Sequence, residues 1–291
     1  NLLGVTLLNP PLTTIHEKYL SSGKRMPVAI TIGVDPALFI SMALKAPSGT
    51  DKLEIAGGLK GKGIQVWQSP QSNIEVPASC ELLLEGYIDE SRSKKDGPLG
   101  EISGYYLSLE KTPTIVVQHM YYKENLIYHA LLPTSPESDR YLTFVSRAHL
   151  EESAKALYPF IVNLTFVPKT FGSSLVVNVR TSEKFKIRNL ILFLLSFPMI
   201  KKVVIVDDDV NPDDPYDVEW AIITRCRADE DFIIVNKLQG QPIDPTVEDG
   251  YGITKVGINA TIQGKMIQER AKVMKRNEKR IEVVLSKIDG R

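Results

Sequence analysis

Around Leu132-Pro-Thr-Ser-Pro-Glu-Ser-Asp139 the sequence changes texture, and no single uniform architecture satisfies both sides. Two prolines among Ser, Thr and Asp resist both helix and sheet, so a domain boundary is expected near residue 140. Before it, β-branched runs are stopped by turn residues. Met26-Pro-Val-Ala-Ile-Thr-Ile-Gly33 reads as a strand closed by Gly33 and Asp35-Pro36, and 36–43 as a short helix opening at its proline. Further strands are expected over 63–68, 79–87, 104–109 and 114–121, at irregular spacing, as in an antiparallel barrel. After the boundary, Leu150, Ala154, Leu157 and Tyr158 recur at helical spacing and predict a helix over 147–159. Strands at 175–179, 202–206 and 232–235 then alternate with helices at 185–197 and 217–227. That alternation implies an α/β layer with parallel pairing. A charged helix from 264 to about 287 suits packing on another domain or subunit.

Composition closes off several classes. With 291 residues the chain is expected to form two domains or one large one, and 43% hydrophobic residues supply a core. Lys and Arg number 35 against 35 Asp and Glu, which argues against a general polyanion or nucleic-acid binder. Cys80 and Cys226 form neither a disulfide framework nor a metal spacing, so a reducing, cytoplasmic compartment is the default. The most apolar run, Leu190-Ile-Leu-Phe-Leu-Leu-Ser-Phe-Pro-Met-Ile200, is shorter than the ~20 residues of a membrane span and reads as a buried helix. Residue 1 is Asn, so the numbering is expected to begin inside a longer gene product.

Three constellations carry possible chemistry. In Asp96-Gly-Pro-Leu-Gly-Glu101, a Gly-Pro-X-Gly turn can fold two carboxylates back toward one another. Paired carboxylates in a partly closed pocket split their pKa values into one proton donor and one permanent anion. A solvated surface turn is the competing reading, favoured about three to one on physics alone. Asp207-Asp-Asp-Val-Asn-Pro-Asp-Asp214 begins like a calcium loop, but Pro212 stands where Gly is needed and Val218 where Glu is needed. Capping of the next helix is the better account there. Lys255, in the Gly-flanked segment Tyr251-Gly-Ile-Thr-Lys-Val-Gly-Ile-Asn-Ala-Thr261, is expected to be mobile enough to reach a phosphate, although most such lysines face water. The histidines 16, 119, 129 and 149 show no paired metal spacing, and His119 and His129 in tyrosine-rich strands suggest a hydrogen-bonded core or pocket role. No Walker loop, Rossmann fingerprint, GxSxG elbow or HExxH is present.

Taken together, several blocks resemble the UbiD family of decarboxylases. They are Gly33-Val-Asp-Pro-Ala37, Ala56-Gly-Gly-Leu-Lys-Gly61, Glu75-Val-Pro-Ala-Ser-Cys-Glu81 and Leu84-Glu-Gly-Tyr-Ile88. Asp96-Gly-Pro-Leu-Gly-Glu-Ile-Ser-Gly-Tyr-Tyr106, Val206-Asp-Asp-Asp-Val-Asn-Pro212, Asp217-Val-Glu-Trp-Ala221 with Thr224-Arg225, and Thr254-Lys-Val-Gly-Ile-Asn-Ala-Thr261 follow in family order.

The resemblance implies an α+β chain: a split β-barrel, flavin-binding-like cofactor domain over 1–140, then an α/β domain over 141–291 with a C-terminal oligomerisation helix. It implies reversible, non-oxidative decarboxylation of an aromatic or α,β-unsaturated carboxylic acid with prenylated FMN. Within an Arg–acid–acid trio, Glu101 would protonate the carbon that loses CO2 and Asp96, in place of a more usual Glu, would be the second acid. Lys255 would reach the flavin phosphate or its associated cations, which by resemblance are a divalent Mn or Mg and K. The trio's arginine and a metal-binding asparagine would precede residue 1. The metal-binding glutamate falls on Lys52, between Asp51 and Glu54, and the cofactor loop falls on Leu7-Leu-Asn-Pro-Pro11, whose prolines donate no N–H. Implied partners are a small carboxylic acid, a flavin prenyltransferase as cofactor supplier, and copies of the chain in a dimer or dimer-based hexamer. A membrane or nucleic-acid partner is not implied. Lys52, Pro10 and Pro11 also suit an alternative, a non-catalytic paralogue serving as a structural or regulatory subunit.

Overall fold

A computed structural model of the chain describes all residues except 8–10, 45, 47–48, 182, 184, 249, 251, 263–269 and 272–291. Asn1–Thr261 is one compact unit. The expected helix from 264 to about 287, and Pro10, lie outside the described residues. The first half runs β1 (Leu2–Gly4), α1 (Leu12–Ser21), β2 (Pro27–Ile32), α2 (Pro36–Ala43), α3 (Lys52–Lys60), β3 (Val66–Gln68), β4 (Glu75–Pro77), β5 (Leu82–Gly100) and β6 (Tyr106–Tyr122). The second runs α4 (Pro136–Leu157), β7 (Ile161–Phe166), β8 (Ser174–Val179), α5 (Phe185–Leu195), β9 (Lys202–Asp207), α6 (Pro215–Arg225), α7 (Ala228–Asp231), β10 (Phe232–Gln239) and β11 (Gly252–Ala260).

The first half is built on an antiparallel four-stranded sheet in the order β1-β6-β5-β2, with β3 and β4 as a separate pair. The strands expected at 79–87, 104–109 and 114–121 fuse into β5 and β6, one long hairpin. Its ladder slips register between Asp96 and Leu99 yet continues to Gly100 opposite Tyr106. Gly97 permits this: its φ is +107°, and a Cβ there would lie 2.6 Å from the Leu107 carbonyl oxygen. The segment 97–100 is therefore a bulged strand end, and the chain reverses only beyond Glu101. That corrects the expected Gly-Pro-X-Gly turn. Capping accounts for α3, which the apolar pattern alone did not predict: Asp51 accepts from the Leu53 N–H at 2.8 Å, and Gly61 ends the helix at φ +69°.

The second half carries the larger core. Its sheet order is β10-β11-β9-β8-β7, parallel across β11, β9 and β8 but antiparallel at both edges. The parallel expectation fails at the edges because β7–β8 and β10–β11 are joined without a crossover helix. α5 covers one face, with Leu190, Ile191, Leu194 and Leu195 fully buried against Val177, Val203 and Ile205. α6 covers the other through Val218 and Ala221. A Cβ on Gly257 would lie 2.1 Å from Ile191, so glycine sets how closely α5 approaches β11. The proline-rich segment before residue 140 ends as a cap: Ser135 accepts from the Ser138 N–H at 3.1 Å and Pro136 opens α4, which contains residue 140. Among the described residues no helix is long and apolar enough to cross a membrane.

Candidate active site

Asp96 and Glu101 both lie at the far end of the β5–β6 hairpin. Asp96 is in the ladder opposite Leu109, and its Oδ1 accepts from the Gly97 N–H at 2.9 Å. Its other oxygen packs on Gly4 of β1, where a Cβ would lie 2.4 Å from it. Glu101 opens the reversal itself: its N–H donates to Tyr105 at 2.9 Å and its carbonyl accepts from Gly104 at 2.9 Å. The Glu101 Oε2 accepts from the Ile102 N–H at 3.3 Å, which orients the carboxyl and leaves Oε1 outside that bond. The two acids thus share one arm, each fixed by its neighbouring backbone, with no hydrogen bond between them.

Two recesses adjoin this arm. Asp96 lines one with Leu2, Leu3, Lys95 and Thr112, and the Thr112 hydroxyl is buried without a hydrogen-bond partner. Ile102, Ser103 and Gly104, immediately after Glu101, line another against α4 and the β7–β8 loop.

Lys255 stands elsewhere than expected. It lies in β11 rather than in a mobile loop, is 1% exposed, and donates from Nζ to the carbonyls of Leu195 at 2.9 Å and Phe197 at 2.8 Å. It therefore closes the C-terminal end of α5, where a cation also meets the helix dipole favourably. Burial pushes its pKa down to about 8. The glycines around it suggested a loop, but Ile253, Lys255, Gly257 and Ile258 are buried strand positions, Gly257 under α5 and Ile258 on the α6 face.

Lys52 also has a structural assignment, donating from Nζ to the Met42 carbonyl at 2.5 Å. Among the described residues no group of three His, Cys, Asp or Glu side chains could hold a metal ion. The acidic run after β9 is structural: Asp214 caps α6 by accepting from the Tyr216 N–H at 2.9 Å. Asp207 and Asp209 bind Arg225 at 3.2 and 2.6 Å. Against expectation, His119 and His129 are exposed: His119 stacks on Tyr121 and His129 meets Phe39 edge-on.

Glu85 was not singled out from sequence. It is 1% exposed on β5, and its Oε1 accepts from the Ser72 N–H at 3.0 Å and hydroxyl at 2.7 Å, while Oε2 is buried without a partner. Burial pushes its carboxyl upward, but the Ser69 and Ser72 hydroxyls and nearby N–H groups outweigh that and hold it below the usual range. A single acid inside the apolar run Leu82-Leu-Leu-Glu-Gly-Tyr-Ile88 was the available signal.

Comparison with known proteins supplies the class. Residues 1–136 match the 3-octaprenyl-4-hydroxybenzoate carboxy-lyase Rift-related domain, and residues 141–260 match the C-terminal domain of the same carboxy-lyase. Fold and domain matches together define a carboxy-lyase scaffold. The chain belongs to the UbiD family.

Among curated proteins it is 32% identical over 261 residues to the anhydromevalonate phosphate decarboxylase of Methanosarcina mazei, covering 87% of this chain and 60% of the relative. The protein of the same name from Aeropyrum pernix is 27% identical over 263 residues, covering 89% of this chain and 60% of that relative. The UbiD-class enzyme HmfF from Pelotomaculum thermopropionicum, solved in complex with FMN, aligns with a TM-score of 0.87 at 28% identity, over 95% of this chain and 63% of that one. The chain spans about 60% of the length of the curated relatives it matches.

Proposed function

We propose that this chain forms part of a prenylated-FMN-dependent decarboxylase acting on an aromatic or α,β-unsaturated carboxylic acid, with Glu101 as proton donor. The observation that carries this reading is the hairpin end: two acids on one arm, each held by a backbone N–H, in a chain matched along both halves to carboxy-lyase domains. The four-stranded sheet would belong to a split barrel over 1–140, with 141–291 as the α/β domain, and the chain would assemble with copies of itself.

The recess beside Asp96 would take part of a flavin. Its Thr112 hydroxyl is buried and unpartnered, and Leu2 and Leu3, at 38% and 39% exposure, offer apolar cover. Leu2, Leu3 and Thr112 would hold the ring. When bound, the flavin supplies the electron sink for the pair left as the C–C bond to the carboxylate breaks. Glu101 then delivers a proton from Oε1 to that carbon, its Oε2 remaining on the Ile102 N–H. Asp96, fixed by Gly97, orients the acid as the second member of the pair. The residues present do not fit a divalent ion, since Lys52 occupies the matched position and donates to Met42; no step runs through one.

Glu101→Gln keeps the Ile102 hydrogen bond through its amide oxygen but carries no transferable acid proton. Turnover of the cofactor-loaded protein should fall by about 10²–10⁴-fold, with the thermal midpoint unchanged. Undiminished turnover would remove Glu101 from the chemistry.

A further inference from the structure

Two lysines of α3 tie that helix to both ends of α2. Lys52, the first residue of α3, donates from Nζ to the Met42 carbonyl at 2.5 Å, and Lys60, in its last turn, bonds the Asp35 carboxylate. Asp35 is the N-cap of α2 and also accepts from the Ala37 N–H at 3.0 Å. Met42 lies in the last turn of α2, which ends where Leu44 turns to extended backbone at ψ 135°, so its carbonyl has no partner within the helix. The Lys52 ammonium therefore sits on the negative end of the α2 dipole. On α3 alone the same charge is unfavourable, because it stands at the positive end of that helix, so the contact with α2 accounts for a lysine at this place.

The acids around this corner are committed elsewhere. Asp51 Oδ1 caps α3 by accepting from the Leu53 N–H at 2.8 Å, and Glu54 stands exposed in the first turn of α3. Asp35 is taken by Lys60, whose ammonium holds its carboxyl below the usual carboxylate range. Glu81 accepts from Lys123 Nζ at 2.5 Å through Oε1 and from the Ile127 N–H at 3.2 Å through Oε2. A hard divalent cation needs several converging oxygen ligands, carboxylates among them. Here an ammonium stands at the position that the family resemblance gives to the metal-binding glutamate, and it repels such an ion. An ammonium carries three N–H donors, and Met42 is the only hydrogen-bond partner of Lys52 among the described residues. The other two donors can meet the oxygens of an anion as a point charge, with no metal between them.

We propose that the Lys52 ammonium replaces the divalent ion in this chain: it supplies the positive charge beside the flavin phosphate, and the cofactor is held without a divalent metal. The phosphate contact rests on the decarboxylase reading; the exclusion of a divalent ion by Lys52 does not.

The test uses the full chain, freed of metal with EDTA, as the parent, Lys52→Met and Lys52→Arg. Methionine keeps an unbranched stem and removes the charge, whereas arginine keeps the charge and a donor for Met42. Circular dichroism establishes that each variant is folded. Flavin mononucleotide and riboflavin, which lacks the phosphate, are titrated by fluorescence in EDTA or in manganese. The parent should bind flavin mononucleotide with the same affinity in both. Lys52→Met should lose about tenfold or more for flavin mononucleotide and nothing for riboflavin, and Lys52→Arg should recover most of that loss. Manganese titrated into the flavin-free parent, followed by electron paramagnetic resonance, should find no stoichiometric site. A loss of flavin mononucleotide affinity in EDTA that manganese restores, or equal affinity in parent and folded Lys52→Met, would overturn the replacement. One tightly held manganese ion per flavin-free parent chain would overturn it as well. Binding of neither flavin by the parent removes the decarboxylase reading and the phosphate contact with it, while the manganese titration still decides whether Lys52 excludes the ion.

Discussion

The Lys255 ammonium is buried beneath α5, and burial lowers its pKa from 10.5 to about 8. A neutral amine still donates two hydrogen bonds, so both α5 carbonyls stay satisfied after deprotonation. Between pH 8 and 10.5 the unfolded chain binds more protons at this site than the folded one, so folding stability from this group rises with pH across that window. It is fully present above the unfolded pKa and declines as pH falls toward the folded one. Lys255→Met should lack this rise in chemical denaturation at pH 7.5, 9 and 10. At the alkaline end it should be less stable than the parent by about 1–3 kcal/mol, because two buried carbonyls lose their donor. Parallel pH profiles for parent and variant would show that the ammonium is not desolvated. This residue was legible as a lysine of note but not as a structural one, because the strand that buries it is defined by partners far away in sequence.

The elements show the same limit in another form. Local signals located many of them: the proline opening α2, the apolar run inside α5 and the β-branched runs of β8 and β9 are all written within a few residues. The hairpin arm is different. Gly97, Pro98 and Gly100 read locally as a turn, yet cross-strand pairs to Leu107 and Tyr106 carry the ladder through them. The acids were therefore identifiable by residue type while their spacing was not.

Two predictions belong at this level. Arg225, whose side chain is 2% exposed, ties the end of α6 to Asp207 and Asp209 after β9 and lies 4.9 Å from the Trp220 ring centre. Arg225→Met should cost about 3–5 kcal/mol in urea denaturation, since it removes the buried guanidinium that ties the end of α6 to both carboxylates. A loss below about 1 kcal/mol would mean that the pair contributes no more than a surface ion pair.

Glu85 anchors the β3–β4 connection through Ser72. Its folded pKa is held below the ordinary 4.5, so its stabilisation is present above that value and is lost as pH falls through the folded pKa. Glu85→Gln should flatten that acid limb of the stability profile. An unchanged limb would place the acid sensitivity in other carboxylates.

At the scale of the whole molecule, the two halves match two successive carboxy-lyase domains, and the fold aligns closely with a UbiD-class enzyme solved with FMN. Residue blocks in family order made that membership readable from sequence alone. Recesses assembled from α4, the β7–β8 loop and the hairpin tip were not readable, because they join segments roughly 70 residues apart.

The central claim is that this scaffold holds a modified flavin beside Asp96 and Glu101. The most direct measurement is native mass spectrometry with an absorbance spectrum on the full chain, co-expressed with a flavin prenyltransferase. The account predicts prenylated FMN bound to the folded chain, with its mass and a flavin-type absorption band, and weaker retention in Thr112→Val. A folded, stable chain carrying no flavin after that co-expression would contradict it.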